Sequence, residues 1–367
     1  MMTLLGWPLL VLLVVLAVAA PAGCLLAWGR LRGPRAVRLL GRLGLIAVCQ
    51  TTALLLVGVV INRNLQLYAS WDDLLGTGAR DGEIQAMGPP DRGPHDGGSV
   101  GGGRQGTGPF RMDRRTRTYR AIVKGPKSGV TGEIRVWLPK EYADPAHAHR
   151  RFPVVELFPG FPGTPSTWFI GMRGGDQLAE AVKRGRGRPA VLVAPMMTVQ
   201  PGRDTECSDI PKGPKVATWL TDDVREIVAR HFRVRTDGPA WAAMGYSTGG
   251  FCAAKLATQH PGRYRAAVSM AGYFRPTAPD LLRDPKTERA NSPLTLVGRH
   301  PAVELLLAGS REDPGTVAAI QELLPKVKQP TRAFTYIVPT GGHNIQVWQR
   351  MLPKAYSWLA ERLPAPS

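Results

Sequence analysis

Residues 239–250 read PAWAAMGYSTGG, and the fold follows from the change of character at Tyr246. The first eight residues form a short apolar run of the kind that makes a buried strand, and residues 248–260 have helical spacing. Gly245-Tyr246-Ser247-Thr248-Gly249-Gly250 leaves room only for a tight turn between them. A serine on a sharp strand-to-helix turn holds its hydroxyl clear of the sheet, and glycines must flank it because the turn has no space for side chains. The helix that opens there offers unpaired N–H groups and a positive dipole end, both suited to a developing oxyanion.

The alternation continues outward on both sides. TGEIRVWL (131–138) alternates as a strand does, and apolar runs follow at 152–158, 189–197, 264–272, 302–309 and 331–338. Helical spacing appears at Val216, Trp219, Leu220, Val224, Ile227 and Val228, across 314–328, and from Trp348 to Leu359, where Pro353 predicts a kink or break. Apolar strands alternating with amphipathic helices predict an α/β fold with a doubly wound, mostly parallel sheet covered on both faces. Ligands bind such sheets at the carboxyl ends of the strands, so the chemistry is expected in the loops that follow them.

A serine hydroxyl needs a base. Of seven histidines, His343 alone follows the last strand in a glycine turn, PTGGHN, and precedes the final amphipathic helix. It is the expected general base. The third member must orient the imidazole, and Glu312 and Asp313 both follow the strand AVELLLAG. Pro314 makes Asp313 a natural N-cap, and we favour Asp313 with Glu312 as the alternative. The order Ser–acid–His is that of α/β-hydrolases. The oxyanion donors are expected to be the N–H groups of Thr248 and of Phe161, since the loop LFPGFPG (157–163) is otherwise rich in prolines without N–H. Tyr246 is a candidate substrate contact. Trp168 either walls the acyl pocket or packs in the core.

The first 71 residues are of another kind. Residues 1–29 carry no charged side chain, Leu9 to Ala20 is unbroken apolar sequence, and 43–62 reads LGLIAVCQTTALLLVGVVIN. Two membrane spans are expected, at about 4–28 and 43–62. Between them GRLRGPRAVRLLGR (29–42) packs five Arg into fourteen residues. The positive-inside rule places that loop in the cytoplasm and everything after residue 63 outside. Trp7, Trp28, Tyr68 and Trp71 sit where interfacial anchors would. A cleaved leader ending near Ala17-Val18-Ala19 is the competing reading. Residues 72–115 are rich in Gly and poor in apolar residues, which predicts a flexible tether to a folded domain at 116–367. Outside the membrane oxidation is permitted, and we expect Cys252 on the nucleophile helix to pair with Cys207 in the loop RDTECSDIP.

The whole chain has 367 residues, 47 Lys+Arg against 28 Asp+Glu (net +19) and 44% hydrophobic residues, which excludes global disorder. The basic excess carries no helix-turn-helix, zinc-finger or RNP motif, so no nucleic-acid partner is expected. No cofactor or metal is called for, and the oligomeric state stays open.

These residues resemble the Putative esterase (esterase D-like) family of α/β-hydrolases, which includes S-formylglutathione hydrolases, feruloyl esterases and secreted mycolyltransferases. The resemblance rests on LFPGFPG in place of the usual strand-His-Gly loop, on GYSTGGFCAAKLATQHPGRY (245–264), on the acid after LLLAG and on GGHNIQVWQRMLPKAYSWL (341–359). It covers roughly residues 116–363, and the membrane pair and tether resemble those of membrane-anchored actinobacterial members. It implies Ser247 as nucleophile, His343 as base and Asp313 or Glu312 as acid. The expected activity is a membrane-tethered serine esterase acting on an ester or acyl-lipid substrate. Two alternatives remain: an acyltransferase to a sugar or lipid hydroxyl of the envelope, and a non-catalytic envelope binding protein on the same scaffold.

Overall fold

The computed structural model describes residues 6–65, 108–339 and 341–367. Most of the expected tether, together with Tyr68 and Trp71, lies outside the described residues. Two compact units, 1–96 and 97–367, divide the chain.

In the first unit two helices, α1 (Trp7–Trp28) and α2 (Arg35–Leu65), form a hairpin. Both are long and apolar enough to cross a membrane. Leu9 and Leu13 of α1 are buried against Val59 of α2, and Arg63 lies over the Trp7 ring at 4.6 Å. Their outer faces expose Val11, Val15, Val18, Leu25, Leu39 and Leu54, a surface that water disfavours and hydrocarbon accepts. Helix α2 begins at Arg35, so part of the Arg-rich stretch expected to be a loop is helical.

The second unit is a nine-stranded sheet: β1 (Arg111–Asp113), β2 (Thr118–Lys124), β3 (Thr131–Trp137), β4 (Val154–Phe158), β5 (Val191–Pro195), β6 (Trp241–Tyr246), β7 (Ala266–Met270), β8 (Glu304–Ser310) and β9 (Arg332–Val338). Its order is β1-β2-β3-β5-β4-β6-β7-β8-β9. The first three strands are antiparallel, β3 meets β5 antiparallel, and all pairs from β5 through β9 are parallel. The runs around β4 to β8 are apolar throughout because both faces are covered. On one face lie α4 (Val224–His231) and α5 (Thr248–Gln259), with Trp219, Phe251 and Leu256 fully buried. The other face carries α3 (Gly174–Lys183) and α7 (Ile345–Ala360), with Trp168, Met351 and Leu352. A short helix, α6 (Pro314–Leu323), joins β8 to β9.

Three local expectations are corrected. Helix α7 runs unbroken through Pro353, which sits on its solvent side, where water can satisfy the carbonyl that the ring frees. Ordered structure begins before residue 116: Phe110 is buried edge-on against Phe232, with ring centroids 4.9 Å apart, and β1 follows it. The helix expected from Val216 starts with one turn, winds as a π-helix over Trp219–Asp223, and becomes α4.

Candidate active site

Strand β6 lies mid-sheet and delivers Ser247 to the rim formed by the carboxyl ends of the parallel strands. Ser247 adopts φ +54°, ψ −126°, a strained conformation for a residue with a side chain. Its N–H donates to the Met270 carbonyl at 2.9 Å, and its own carbonyl accepts the Phe251 N–H at 3.1 Å, so the turn is pinned to β7 and to α5. Glycine is obligatory at Gly249, where a Cβ would lie 2.0 Å from the Phe158 carbonyl oxygen. Helix α5 therefore starts in direct backbone contact with the end of β4.

Beyond β9, Gly341 takes φ +100° and Asn344 caps α7 by accepting the Val347 N–H at 3.1 Å, which aims the intervening His343 back across the rim. His343 Nε2 lies 2.9 Å from Ser247 Oγ, and Nδ1 lies 2.7 Å from Asp313 Oδ2. A proton on Nδ1, donated to Asp313, leaves Nε2 free to accept from the serine. Asp313 also caps α6, accepting the Thr316 N–H at 3.3 Å and hydroxyl at 2.7 Å. Partial burial opposes its ionisation, but the hydrogen bonds from His343 and Thr316 outweigh it and hold the carboxyl below its usual range. Glu312 faces elsewhere: its Oε2 accepts the Gly341 N–H at 2.6 Å, so the second carboxylate braces the histidine loop.

Behind the histidine stands a column of rings. Trp348 meets His343 edge-on at 5.1 Å, Tyr246 stacks on Trp348 at 4.5 Å, and Trp168 packs on Tyr246 at 5.3 Å. Trp168 is fully buried and takes the core-packing alternative, and Tyr246, 4% exposed, presents little surface to a substrate. Their apolar surface is spent on the core instead. The Tyr246 ring packs against Gly160, where a Cβ would come within 3.0 Å of its Cε2. Gly160 in turn abuts the nucleophile, since a Cβ there would come within 3.1 Å of the Ser247 Cβ. Phe161, next in the loop, keeps a partly exposed ring. Thr248 is the first residue of α5 and is buried, its hydroxyl donating to Asp204 Oδ2 at 3.2 Å.

The loop after β5 supplies a polar junction that motif reading missed. Cys207 and Cys252 are joined in a disulfide. Glu206, fully buried, accepts from the Tyr273 hydroxyl at 2.6 Å and from the Thr277 N–H and hydroxyl at 2.9 and 2.6 Å. Lys255, also fully buried, donates to the Glu206 carbonyl at 2.8 Å, to Asn291 Oδ1 at 3.2 Å and to the Ser208 hydroxyl. Burial pulls its ammonium down to about 7 against the pull of Glu206, Asp209 and Asp204. Asp204 is raised by burial and by the Glu206 charge. The junction ties the β5 loop, the nucleophile helix and the 273–291 segment together. The only signal for it was the three acids around Cys207 in RDTECSDIP. Among the described residues no three His, Cys, Asp or Glu side chains cluster as a metal site requires.

Known proteins match this arrangement. A ferulic acid esterase superposes with a TM-score of 0.55 at 18% identity, covering 66% of this chain and 97% of its own. An S-formylglutathione hydrolase from Agrobacterium tumefaciens gives 0.58 at 16%, covering 67% and 95%. MPT51 of Mycobacterium tuberculosis gives 0.54 at 14%, covering 70% and 99%. At these identities the likeness is one of fold. An uncharacterised protein of Corynebacterium glutamicum is 27% identical over 291 residues, 70% of this chain and 65% of that protein, so the match spans just under two thirds of the relative. The sequence model of the family described as Putative esterase matches residues 129–359, and the chain belongs to that family.

Proposed function

We infer that this chain is a serine ester hydrolase working through Ser247, His343 and Asp313. The observation that carries the reading is the continuous hydrogen-bonded line from Ser247 Oγ through both ring nitrogens of His343 to Asp313 Oδ2. As Ser247 attacks an ester carbonyl, His343 takes its proton and passes it to the departing alcohol, while Asp313 stays ionised and steadies the imidazolium. The negative charge on the tetrahedral oxygen meets N–H groups of Thr248 and Phe161. Thr248 fits because the first N–H groups of a helix lack intrahelical partners. Phe161 fits because its loop packs against Ser247 through Gly160, and Pro159 and Pro162 have no N–H.

Water then attacks the acyl-enzyme, His343 again taking the proton and returning it to Ser247. The His343 side chain is 42% exposed, which gives water direct access to the acyl-enzyme. The apolar outer faces of α1 and α2 support a membrane hairpin with its Arg-rich turn in the cytoplasm and the esterase domain outside. The test is turnover of p-nitrophenyl butyrate by the full chain in neutral detergent, with and without glycerol as acceptor. Free butyrate as the sole product agrees with the reading. Glycerol butyrate as the main product shows a transferase, and no turnover of this or longer esters contradicts both.

A further inference from the structure

All parallel strands begin at the rim opposite Ser247, and that rim is lined with arginine. Most of these guanidinium groups are neutralised in place. Arg184 pairs with Glu180, Arg235 with Asp237, Arg263 with Asp222, and Arg265 and Arg362 with Glu304. One concavity breaks the pattern. A cavity of about 590 Å³ opens between the segment before β4, the turn after α3 and the end of α7, and Arg150, Arg186 and Arg188 all line it. None of the three has a carboxylate partner among the described residues. The acid on the lining, Glu361, is 72% exposed and bonds Arg362 at 3.0 Å. His147 also lines the cavity, its Nδ1 3.3 Å from Asp144.

Capping of helix ends explains one of the three arginines. Arg188 Nε donates to the Ala360 carbonyl at 2.9 Å, at the end of α7, where a cation suits the dipole. That bond fixes the guanidinium at the cavity edge. Arg150 and Arg186 make no such side-chain bond, yet they face the same space. The turn that carries Arg186 is held close to its own helix: a Cβ at Gly187 would lie 2.8 Å from the Val182 nitrogen, and Gly185 takes φ +67°. Three cations held on two segments around one hollow, whose lining acid Glu361 is already bonded to Arg362, repel one another unless a ligand neutralises them. Guanidinium forks match the oxygens of phosphate, and the volume exceeds a bare phosphate and falls within the range of small-molecule sites.

We propose that this cavity binds a phosphate-bearing ligand through Arg150, Arg186 and Arg188, as a site separate from the esterase centre. Its location across the sheet makes binding there independent of ester turnover. The ligand chemistry is a phosphate group, carried either by free phosphate or by the phosphodiester headgroup of an anionic lipid.

Titration calorimetry on the full chain in neutral detergent tests this, with inorganic phosphate, glycerophosphoglycerol (an anionic headgroup freed of its acyl chains) and zwitterionic glycerophosphocholine as probes. Saturable binding of either anion is expected, weakening as salt rises and falling about tenfold or more in the Arg150→Ala/Arg186→Ala variant. Both side chains are solvent-exposed, and unchanged ester turnover will show that this variant is folded. Preference for glycerophosphoglycerol assigns the site to a lipid headgroup, and preference for phosphate assigns it to the free ion. No saturable binding of either anion, equal affinity in the variant, or equal binding of glycerophosphocholine would overturn the proposal.

Discussion

His343 Nδ1 sits 2.7 Å from Asp313 Oδ2, although Glu312 is the adjacent residue and reaches the same loop by its Gly341 N–H. Two neighbouring carboxylates thus do different work, one on the imidazole and one on the backbone that carries it. Asp313→Asn keeps the cap on α6 but removes the acceptor that sets the tautomer, and kcat on an aryl ester is expected to fall by about 10³–10⁴. Glu312→Gln should cost less than about tenfold, since the amide oxygen can still accept from Gly341. Steady-state kinetics on the two variants decide it, and the reverse ranking would make Glu312 the acid.

Tyr246 acts through Gly160. Its ring fills the space beside Gly160, in the loop that offers the Phe161 N–H, and Tyr246→Ala removes that support together with the stack on Trp348. We expect kcat to fall by about tenfold with KM little changed, because the donor is needed most in the transition state. A change confined to KM would return Tyr246 to the role of substrate contact.

Glu156 lies at the centre of β4, fully buried, with its Oε2 accepting the Tyr264 hydroxyl at 2.8 Å. Burial raises its carboxyl from 4.5 to about 8, with the Tyr264 hydrogen bond and the Arg225 charge opposing. The folded state therefore holds a proton that the unfolded chain releases. The stability this group contributes is complete below its ordinary pKa and is lost as pH rises through the folded value. Between about pH 5 and pH 8 the melting temperature of wild type should decline more steeply than that of Glu156→Gln. Parallel curves would show that Glu156 titrates normally.

The Cys207–Cys252 bond closes a loop with a sequence separation of 45. In the chain-entropy picture such a crosslink contributes about 4 kcal/mol, or about 10 °C in melting temperature for a domain of this size. Reductant should lower the transition of wild type by that order and leave Cys207→Ala/Cys252→Ala unaffected. Quantitative alkylation of both cysteines in untreated protein would contradict the linkage.

The elbow was legible because its backbone tolerates so few sequences: a Cβ at Gly245 or Gly249 would lie 2.0 Å from a backbone atom. His343 could be picked out by its turn after the last strand. The acid is favoured there as Asp313 but not fixed, since its cap before Pro314 has the same signature without any chemistry, and only the path of the loop separates Asp313 from Glu312. An aromatic residue beside a nucleophile reads the same whether it faces substrate or core, which is why Trp168 stays open between pocket and core in the sequence and Tyr246 reads there as a substrate contact. Lys255 gave no sign either, because its partners Glu206, Ser208 and Asn291 come from two distant segments. Strand β1 is three residues, too short for a periodicity to show.

Labelling of the full chain with a fluorophosphonate, followed by peptide mapping, tests the central claim most directly. The reagent reports a serine oxygen made nucleophilic by its neighbours, whatever the natural ester. Stoichiometric modification at Ser247, abolished in Ser247→Ala and strongly slowed in His343→Ala, is the predicted result. An unlabelled Ser247 in folded protein, or labelling that persists at full rate without His343, would contradict it.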